Sequence, residues 1–335
     1  MILSIDTSCD ETAVALTDGR RVIKNIIYSQ VLLHQKWGGV VPSIAKRAHQ
    51  EKIDWLIDKL KINDFDYVAV TQGPGLAPAL EVGISKAKEL AEKFNKKIIA
   101  VNHLEGHIYS PFVQNSKGNP KIDFKFPYLV LTVSGGHTSL VIFEDHLKYR
   151  VIGETIDDAA GEALDKAAKM LGLGYPGGPV IEKLSRDVGN IDKYHFPRPM
   201  IKSKNLNFSF SGLKTSFYYF LKKITEEEKI KNLKYLVSSF QQAVFDTLII
   251  KTEQAIKKTG IKNLCLVGGV SANLYLRKMF RDLAKKHQGE VLFPSFKYLT
   301  GDNAAMIGVV ASYKAEKNIF VEDLRKLDRI PRMSL

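Results

Sequence analysis

Cysteine is scarce in this chain. There are two among 335 residues, Cys9 and Cys265, far apart and each beside a stretch that reads as a strand. A disulfide framework or a zinc knuckle needs more thiols at closer spacing, so neither is expected, and a reducing compartment is. Long apolar runs are also missing: none approaches the roughly 20 residues that span a bilayer. The opening Met1-Ile2-Leu3-Ser4-Ile5-Asp6 lacks the basic segment and extended apolar stretch of a signal peptide. The expectation is a cytoplasmic protein with no membrane part. A Walker A motif is absent, and Gly73-Pro74-Gly75 lacks the third glycine of a dinucleotide fingerprint.

What is present is an ordinary globular composition, 45% apolar and 25% charged, in a chain long enough for two lobes with separate cores. Its formal charge is +13. That balance favours polyanions such as nucleic acid or phosphates. It equally fits a lysine-rich composition spread over helix surfaces, as the doublets Lys96-Lys97, Lys222-Lys223, Lys257-Lys258 and Lys285-Lys286 suggest.

Hydrophobic patterning predicts strands at 2–6, 13–17 and 20–28, with a hairpin signal at Asp18-Gly19. A helix at about 43–61, a strand at 66–71, a helix to about 94 and a strand at 98–102 follow. Strands at 128–133, 138–143 and 147–153, a helix at about 157–171, a strand at 263–267, a helix at about 273–287 and a strand at 290–293 repeat the order. A last helix starts near Asp302. The stretch from about 215 to 260 reads as core and surface helix. Two βββαβα units in tandem resemble the plan of the duplicated actin-like ATPase (ASKHA) fold, an α/β class with two lobes and an interlobe cleft for nucleotide. The predicted lobes are 1–125, with the last helix (about 303–325) packing back on it, and 126–302, with an insertion at about 174–230. Residues 114–125 read as the linker.

Six segments carry chemistry. His103-Leu104-Glu105-Gly106-His107 follows a strand, and a spacing of four puts both imidazoles on one helical face, within reach of one ion. Leu104 stands where a zinc peptidase carries its glutamate, and Glu105 projects about 100° further round, so peptidase chemistry fits poorly. Ser134-Gly135-Gly136-His137 is a glycine-rich turn between strands: a cradle for a phosphate or carbonyl oxygen, or a plain hairpin. Asp157 and Asp158 read as macrodipole partners of a helix first turn, whereas Asp165 lies too deep for that and could bind a hydroxyl or ammonium group. Tyr175-Pro176-Gly177-Gly178-Pro179 is a rigid loop of close backbone approach, or simple punctuation. Gly268-Gly269 followed by Asn273 offers an amide to a base or ribose. Asp302 is either the N-cap of the last helix or the oxygen ligand that completes the histidine site, a set suited to Fe(II) or Zn(II).

Taken in order, SIDTSCDETAVAL, HQKWGGVVPSIAKRAH, TQGPGLAPAL, NHLEGHIYS, TVSGGHTSL, GETIDDAAGEALDKAAKMLGLGYPGGP, FSFSGLKT, LVGGVSANLYLR and TGDNAAMIG resemble the TsaD/Gcp family of tRNA N6-adenosine threonylcarbamoyltransferases, in its bacterial form, from Ile2 to about Ala311. The resemblance implies transfer of the threonylcarbamoyl group of threonylcarbamoyl-AMP to the exocyclic amine of the adenosine 3′ of the anticodon. The tRNAs are those reading codons that begin with A, and AMP leaves. It implies metal ligands at His103, His107 and Asp302 for one divalent ion per subunit, Fe(2+) before Zn(2+). Substrate contacts fall on Thr132, Val133, Ser134, Gly135, Gly136, Asp165, Gly178 and Asn273, and on Glu182, where some members have aspartate. Ser4 and Asp6 stand where many members have Gly and Glu. ATP or ADP would enter the same cleft, and the partners would be tRNA, a TsaB-type paralogue and a TsaE-type P-loop ATPase. Glu11 is a candidate general base from its turn position alone. The competing classes are a metal-dependent endopeptidase, an actin-fold small-molecule kinase and a non-catalytic actin-like subunit.

Overall fold

Ile2–Asp6 is buried at every position, Ser4 and Asp6 included, and that uniformity places it, because only a strand covered on both faces is buried along its whole length. The computed structural model describes residues 1–62 and 64–335. In it this strand, β1, is the centre of a five-stranded sheet. β2 (Glu11–Asp18) pairs antiparallel with β1, and β3 (Arg21–Ser29) antiparallel with β2. β4 (Tyr67–Gly73) runs parallel to β1 and β5 (Lys97–Asn102) parallel to β4, so the order is β3-β2-β1-β4-β5. The connecting helices are the short α1 (Val31–His34), α2 (Pro42–Leu60), α3 (Ala77–Phe94) and α4 (His103–Tyr109).

A second sheet repeats the plan. β6 (Tyr128–Val133), β7 (Thr138–Asp145), β8 (Lys148–Glu154), β9 (Asn263–Val267) and β10 (Glu290–Leu292) lie in the order β8-β7-β6-β9-β10. Its helices are α5 (Ala160–Met170), α6 (Gly177–Arg186), α7 (Ser211–Lys223), the long α8 (Glu226–Thr259) and α9 (Leu274–Lys286). The same strand order twice is the duplicated actin-like α/β plan that the element sequence predicts. α8 holds its 34 residues between a Thr225/Glu228 capping box and left-handed Gly260.

Two units separate: Met1–Phe124 with Asp145–Lys148 and Pro294–Leu335, and Lys125–Glu144 with Tyr149–Phe293. Residues 294–302, read from sequence with the second lobe, therefore belong to the first. So does the last helix, α10 (Ala304–Glu316), which packs on β1 and β2. A Cβ on Gly308 would come within 2.4 Å of Thr17 Oγ1, and Ser4 Oγ donates to the Ala304 carbonyl at 2.7 Å.

Three sequence expectations change. The last helix stops at Glu316 rather than about 325, where Asn318 takes a left-handed conformation. The stretch 175–179, read as a loop, is loop only at its start: α6 begins at Gly177, with Pro179 in the first turn, where a missing N–H costs no helical bond. Asp157 and Asp158 precede α5 instead of opening it. Asp157 accepts from the Ser209 and Ser211 hydroxyls and the Phe210 N–H, while Asp158 pairs with Lys166 and Lys214, so both fasten α7 to α5.

Candidate functional site

The first unit gathers a buried polar cluster. Asn102 ends β5 and caps α4: its Oδ1 accepts from Leu104 N–H at 2.8 Å, and Glu105 returns a bond to the Asn102 N–H. This capping box starts the helix at His103, and one turn later His107 lies on the same face. Glycine at 106 brings α4 against α10, because a Cβ there would meet Met306 Cγ at 2.9 Å and Ile307 Cδ1 at 3.0 Å. α10 in turn is capped by Asn303, whose Oδ1 accepts from Met306 N–H. The N-cap reading of Asp302 is thus replaced by its neighbour, and the Asp302 carboxylate is left facing the imidazoles.

Asp302 Oδ1 lies 3.3 Å from both His103 Nε2 and His107 Nε2, and one ligand atom from each of the three residues falls within 4.8 Å of the others. At 3.3 Å the pair is long for a charge-assisted hydrogen bond, and among the described residues His107, 1% exposed, has no hydrogen bond of good geometry at either ring nitrogen. Two donors about 2.0–2.1 Å from a tetrahedral ion stand about 3.3 Å apart, so the spacing suits a shared cation better than a direct bond. The residues fit a divalent metal. Burial lowers the His107 pKa and keeps that imidazole neutral, while the histidines overcome burial to hold Asp302 well below the usual carboxylate range. At His103 burial opposes the charged form, but Asp302 and Asp6 prevail and push its pKa up, a proton that a bound cation would have to displace.

Sequence reasoning left two supporting residues weak or unnamed. Asp6, at the end of β1, has Oδ2 at 3.4 Å from His103 Nδ1, and Ser8 Oγ lies 3.2 Å from the same nitrogen. They orient His103 as partners beyond the ligands do in metal sites. The signal was the polar turn after β1, but nothing local says which turn residue meets a histidine 95 positions on. Glu105 is used up structurally: besides the capping box it pairs with Lys314 at 2.8 Å, both largely buried. Glu11 opens β2, half-buried, and accepts from Ser29 Oγ at 3.2 Å. Burial, then Asp10 and Asp302, pushes its carboxyl well above the ordinary range.

The second unit holds a different kind of site. A cavity of about 230 Å³ is lined by Gly135, Asp165, Gly178, Glu182, Gly269 and Asn273, among others. Gly135, Gly178 and Gly269 have no left-handed φ, and a Cβ on any of them would meet nothing within 4 Å. The glycines of the Ser134 turn are thus not there to supply a left-handed backbone. Nothing in this chain's own packing requires glycine at these three positions, so what they supply is bare backbone and space. Gly268 is the contrast: φ is +89°, and a Cβ would sit 2.5 Å from the Val133 carbonyl.

The polar residues around this cavity are already partly engaged. Asp165 Oδ1 accepts from the Gly177 and Gly178 N–H groups at 2.7 and 3.2 Å and so holds the start of α6. Glu182 Oε1 accepts from Leu274 N–H at 2.8 Å. Asn273 caps α9 through Oδ1 and donates from Nδ2 to Gln241 at 3.0 Å. The amide that the sequence offered to a base or ribose is engaged on both its atoms, by the helix cap and by Gln241. Ser134 Oγ accepts from His137 N–H, and its carbonyl accepts from Gly161 N–H at the start of α5. Gly136 is exposed in the same turn. Thr132 and Val133 are fully buried in β6, the Thr132 hydroxyl without a hydrogen-bond partner.

The fold and these two sites define a class: an actin-like α/β protein with a His-His-Asp cluster spaced to suit a metal ion and a glycine-walled cavity. A family model described as "TsaD: tRNA N6-adenosine threonylcarbamoyltransferase" matches residues 21–309. The chain is 47% identical over 325 residues to the tRNA N6-adenosine threonylcarbamoyltransferase of Kosmotoga olearia, covering 95% of this chain and 94% of that one. It is 42% identical over 341 residues to the enzyme of the same name from Thermosipho africanus, covering all of both. Among solved structures it resembles full-length HypF in a phosphate- and nucleotide-bound form, with a TM-score of 0.57 and 14% identity over 94% of this chain and 55% of that one. HypF of T. kodakarensis gives 0.59 and 13% over 95% and 48%. The chain thus spans about half of those two structures, and at such identity they speak for the fold alone. The chain belongs to the tRNA N6-adenosine threonylcarbamoyltransferase family.

Proposed function

We propose that the protein transfers a threonylcarbamoyl group from threonylcarbamoyl-AMP to the exocyclic amine of the adenosine 3′ of the anticodon, in tRNAs reading codons that begin with A. The amine nitrogen forms a bond to the carbamoyl carbon, the bond from that carbon to the phosphate oxygen breaks, AMP leaves, and the amine gives up one proton. The observation that carries this reading is the similarity of nearly the whole chain to transferases of that name. The geometry agrees with it. In the second unit, Gly135, Gly178 and Gly269 let a flat nucleoside lie against bare backbone, and Asp165 and Glu182 offer carboxylate oxygens toward its hydroxyls. Thr132, Val133, Ser134 and Gly136 shape the turn beside the phosphate, and Asn273 holds α9 at the cavity wall.

In the first unit His103, His107 and Asp302 would hold one divalent ion, which supplies Lewis-acid stabilisation of negative charge on the transferring group. Two imidazoles and a carboxylate with open positions favour Fe(II), then Zn(II). Asp6 and Ser8 keep His103 presented to it. A single-stranded anticodon loop presents its base without melting a duplex. Partners of the TsaB and TsaE kinds and a cytoplasmic setting follow from the family resemblance and from the substrate. No helix among the described residues is long and apolar enough to cross a membrane.

The endopeptidase alternative is disfavoured by Glu105, tied to Asn102 and Lys314. No relative named here supports a kinase. Incubating the purified protein, with its partner proteins, with threonylcarbamoyl-AMP and unmodified tRNA, then digesting the RNA, should yield the modified nucleoside. Absence of product with all components present would overturn the reading.

A further inference from the structure

Between residues 19 and 50 the chain has six Lys or Arg residues and no Asp or Glu. Four of the six are engaged. Arg20 donates to the Ile122 carbonyl and Lys24 to those of Lys59 and Leu60, while Arg21 pairs with Asp18 and Lys46 with Glu81. Lys36 and Arg47 form no ion pair among the described residues. Beside Lys36 stands the most exposed apolar surface of this unit: Leu32 is 80%, Leu33 41% and Trp37 54% exposed, and the Lys36 ammonium sits over the Trp37 ring at 5.4 Å.

This segment is not a loose loop. His34, fully buried in its middle, bonds through Nε2 to Gln30 Oε1 at 3.2 Å and accepts at Nδ1 from Val41 N–H at 3.4 Å. Gln30 Nε2 lies 3.2 Å from His49 Nδ1, which also meets Thr12 Oγ1 at 2.8 Å, and His49 Nε2 lies 3.0 Å from the Cys9 carbonyl. Gln30 N–H donates to the Asp10 carbonyl at 2.9 Å. A closed network of buried polar groups therefore fixes the segment to the Cys9-Asp10 turn, next to Ser8, which touches His103. Buried polar residues are spent on holding an apolar ring out in solvent. Packing gives no reason for that, whereas a base seeking a stacking partner does, and the surplus positive charge suits a phosphate backbone.

We propose that Trp37 is a base-stacking contact for unpaired nucleotides of the substrate tRNA, with Lys36 facing an adjoining phosphate. The proposal rests on the tRNA reading above. Trp37 and Trp55 are the chain's two tryptophans, so W55F leaves Trp37 as the single reporter. Titrating W55F with an unmodified anticodon stem-loop RNA should quench its fluorescence. In the complete reaction W37A should raise KM for tRNA about tenfold, as expected for one lost stack, with kcat changed less than twofold and metal content intact, and W37F should recover most of the loss. Unquenched fluorescence at saturating RNA, quenching only by a partner protein, or an unchanged KM in W37A would overturn the proposal. Failure of the parent protein to modify any tRNA would instead overturn the function, while the quenching still decides whether Trp37 meets RNA.

Discussion

The two sites solve opposite problems. The first unit brings together charged and ionisable side chains in a buried cluster, each held by a cap or a second carboxylate. The second unit removes side chains: three glycines that the chain does not need for its own packing line one cavity. An ion is recognised by donor atoms at set distances, so it demands particular side chains. A planar nucleoside is recognised by area and a few hydrogen bonds, so it demands room beside the backbone. The adjacent Gly268 and Gly269 contrast within one dipeptide: the fold requires the first, and a Cβ on the second would meet nothing within 4 Å among the described residues.

The comparison can be broken most sharply at the ion. H107A should remove bound metal, measured by mass spectrometry of the purified protein, and lower the transfer rate by more than the roughly 10–100-fold that loss of a supporting hydrogen bond costs. A metal-free but fully active H107A would end the metal assignment. D6N should keep the ligands and weaken metal affinity by about 10–100-fold, with the fold intact. If affinity is unchanged, Asp6 does not orient His103.

The glycine pair gives the next test. G268A should destabilise the protein by about 2 kcal/mol or more in denaturant unfolding, since its backbone is left-handed and its Cβ would strike Val133. G269A should leave stability within about 0.5 kcal/mol and raise KM for threonylcarbamoyl-AMP several-fold. Equal stability losses in the two variants would erase the distinction. E105Q should retain most transferase activity while losing about 1–3 kcal/mol, because it breaks the pair with Lys314.

The smallest effect lies away from both sites. Glu253, bonded by Lys286, His287 and Lys257, has its carboxyl lowered to about 2. A lowered carboxyl adds stability that is present above its unfolded value near 4.5 and is lost as pH falls through about 2. E253Q should therefore cost about 1 kcal/mol at pH 7, after solvent screening, and nearly nothing at pH 2. A constant difference across that range would show that the effect is not ionic.

Much of this was legible in one dimension. Largely apolar runs marked β1, β4, β6 and β9, because strands covered on both faces stay mostly apolar even where a buried Ser4, Asp6, Thr71 or Thr132 interrupts them. The four-residue spacing placed His103 and His107 on one face, because helical period is a local property. Helix bounds blurred where glycine and proline belong to a first turn, as at α6, or where two polar residues compete for one cap, as at Asp302 and Asn303. Only the tertiary structure decided the rest. Asp302, which the sequence reading placed at the end of the second lobe, joins the unit of the histidines, so all three candidate metal ligands lie in one unit. Asp6 meets His103, Asn273 spends its amide on a helix cap, and Glu105 is claimed by Lys314. The reason is the same in each case. Residue type sets which bonds a side chain can make, but the folded backbone sets which partner arrives first.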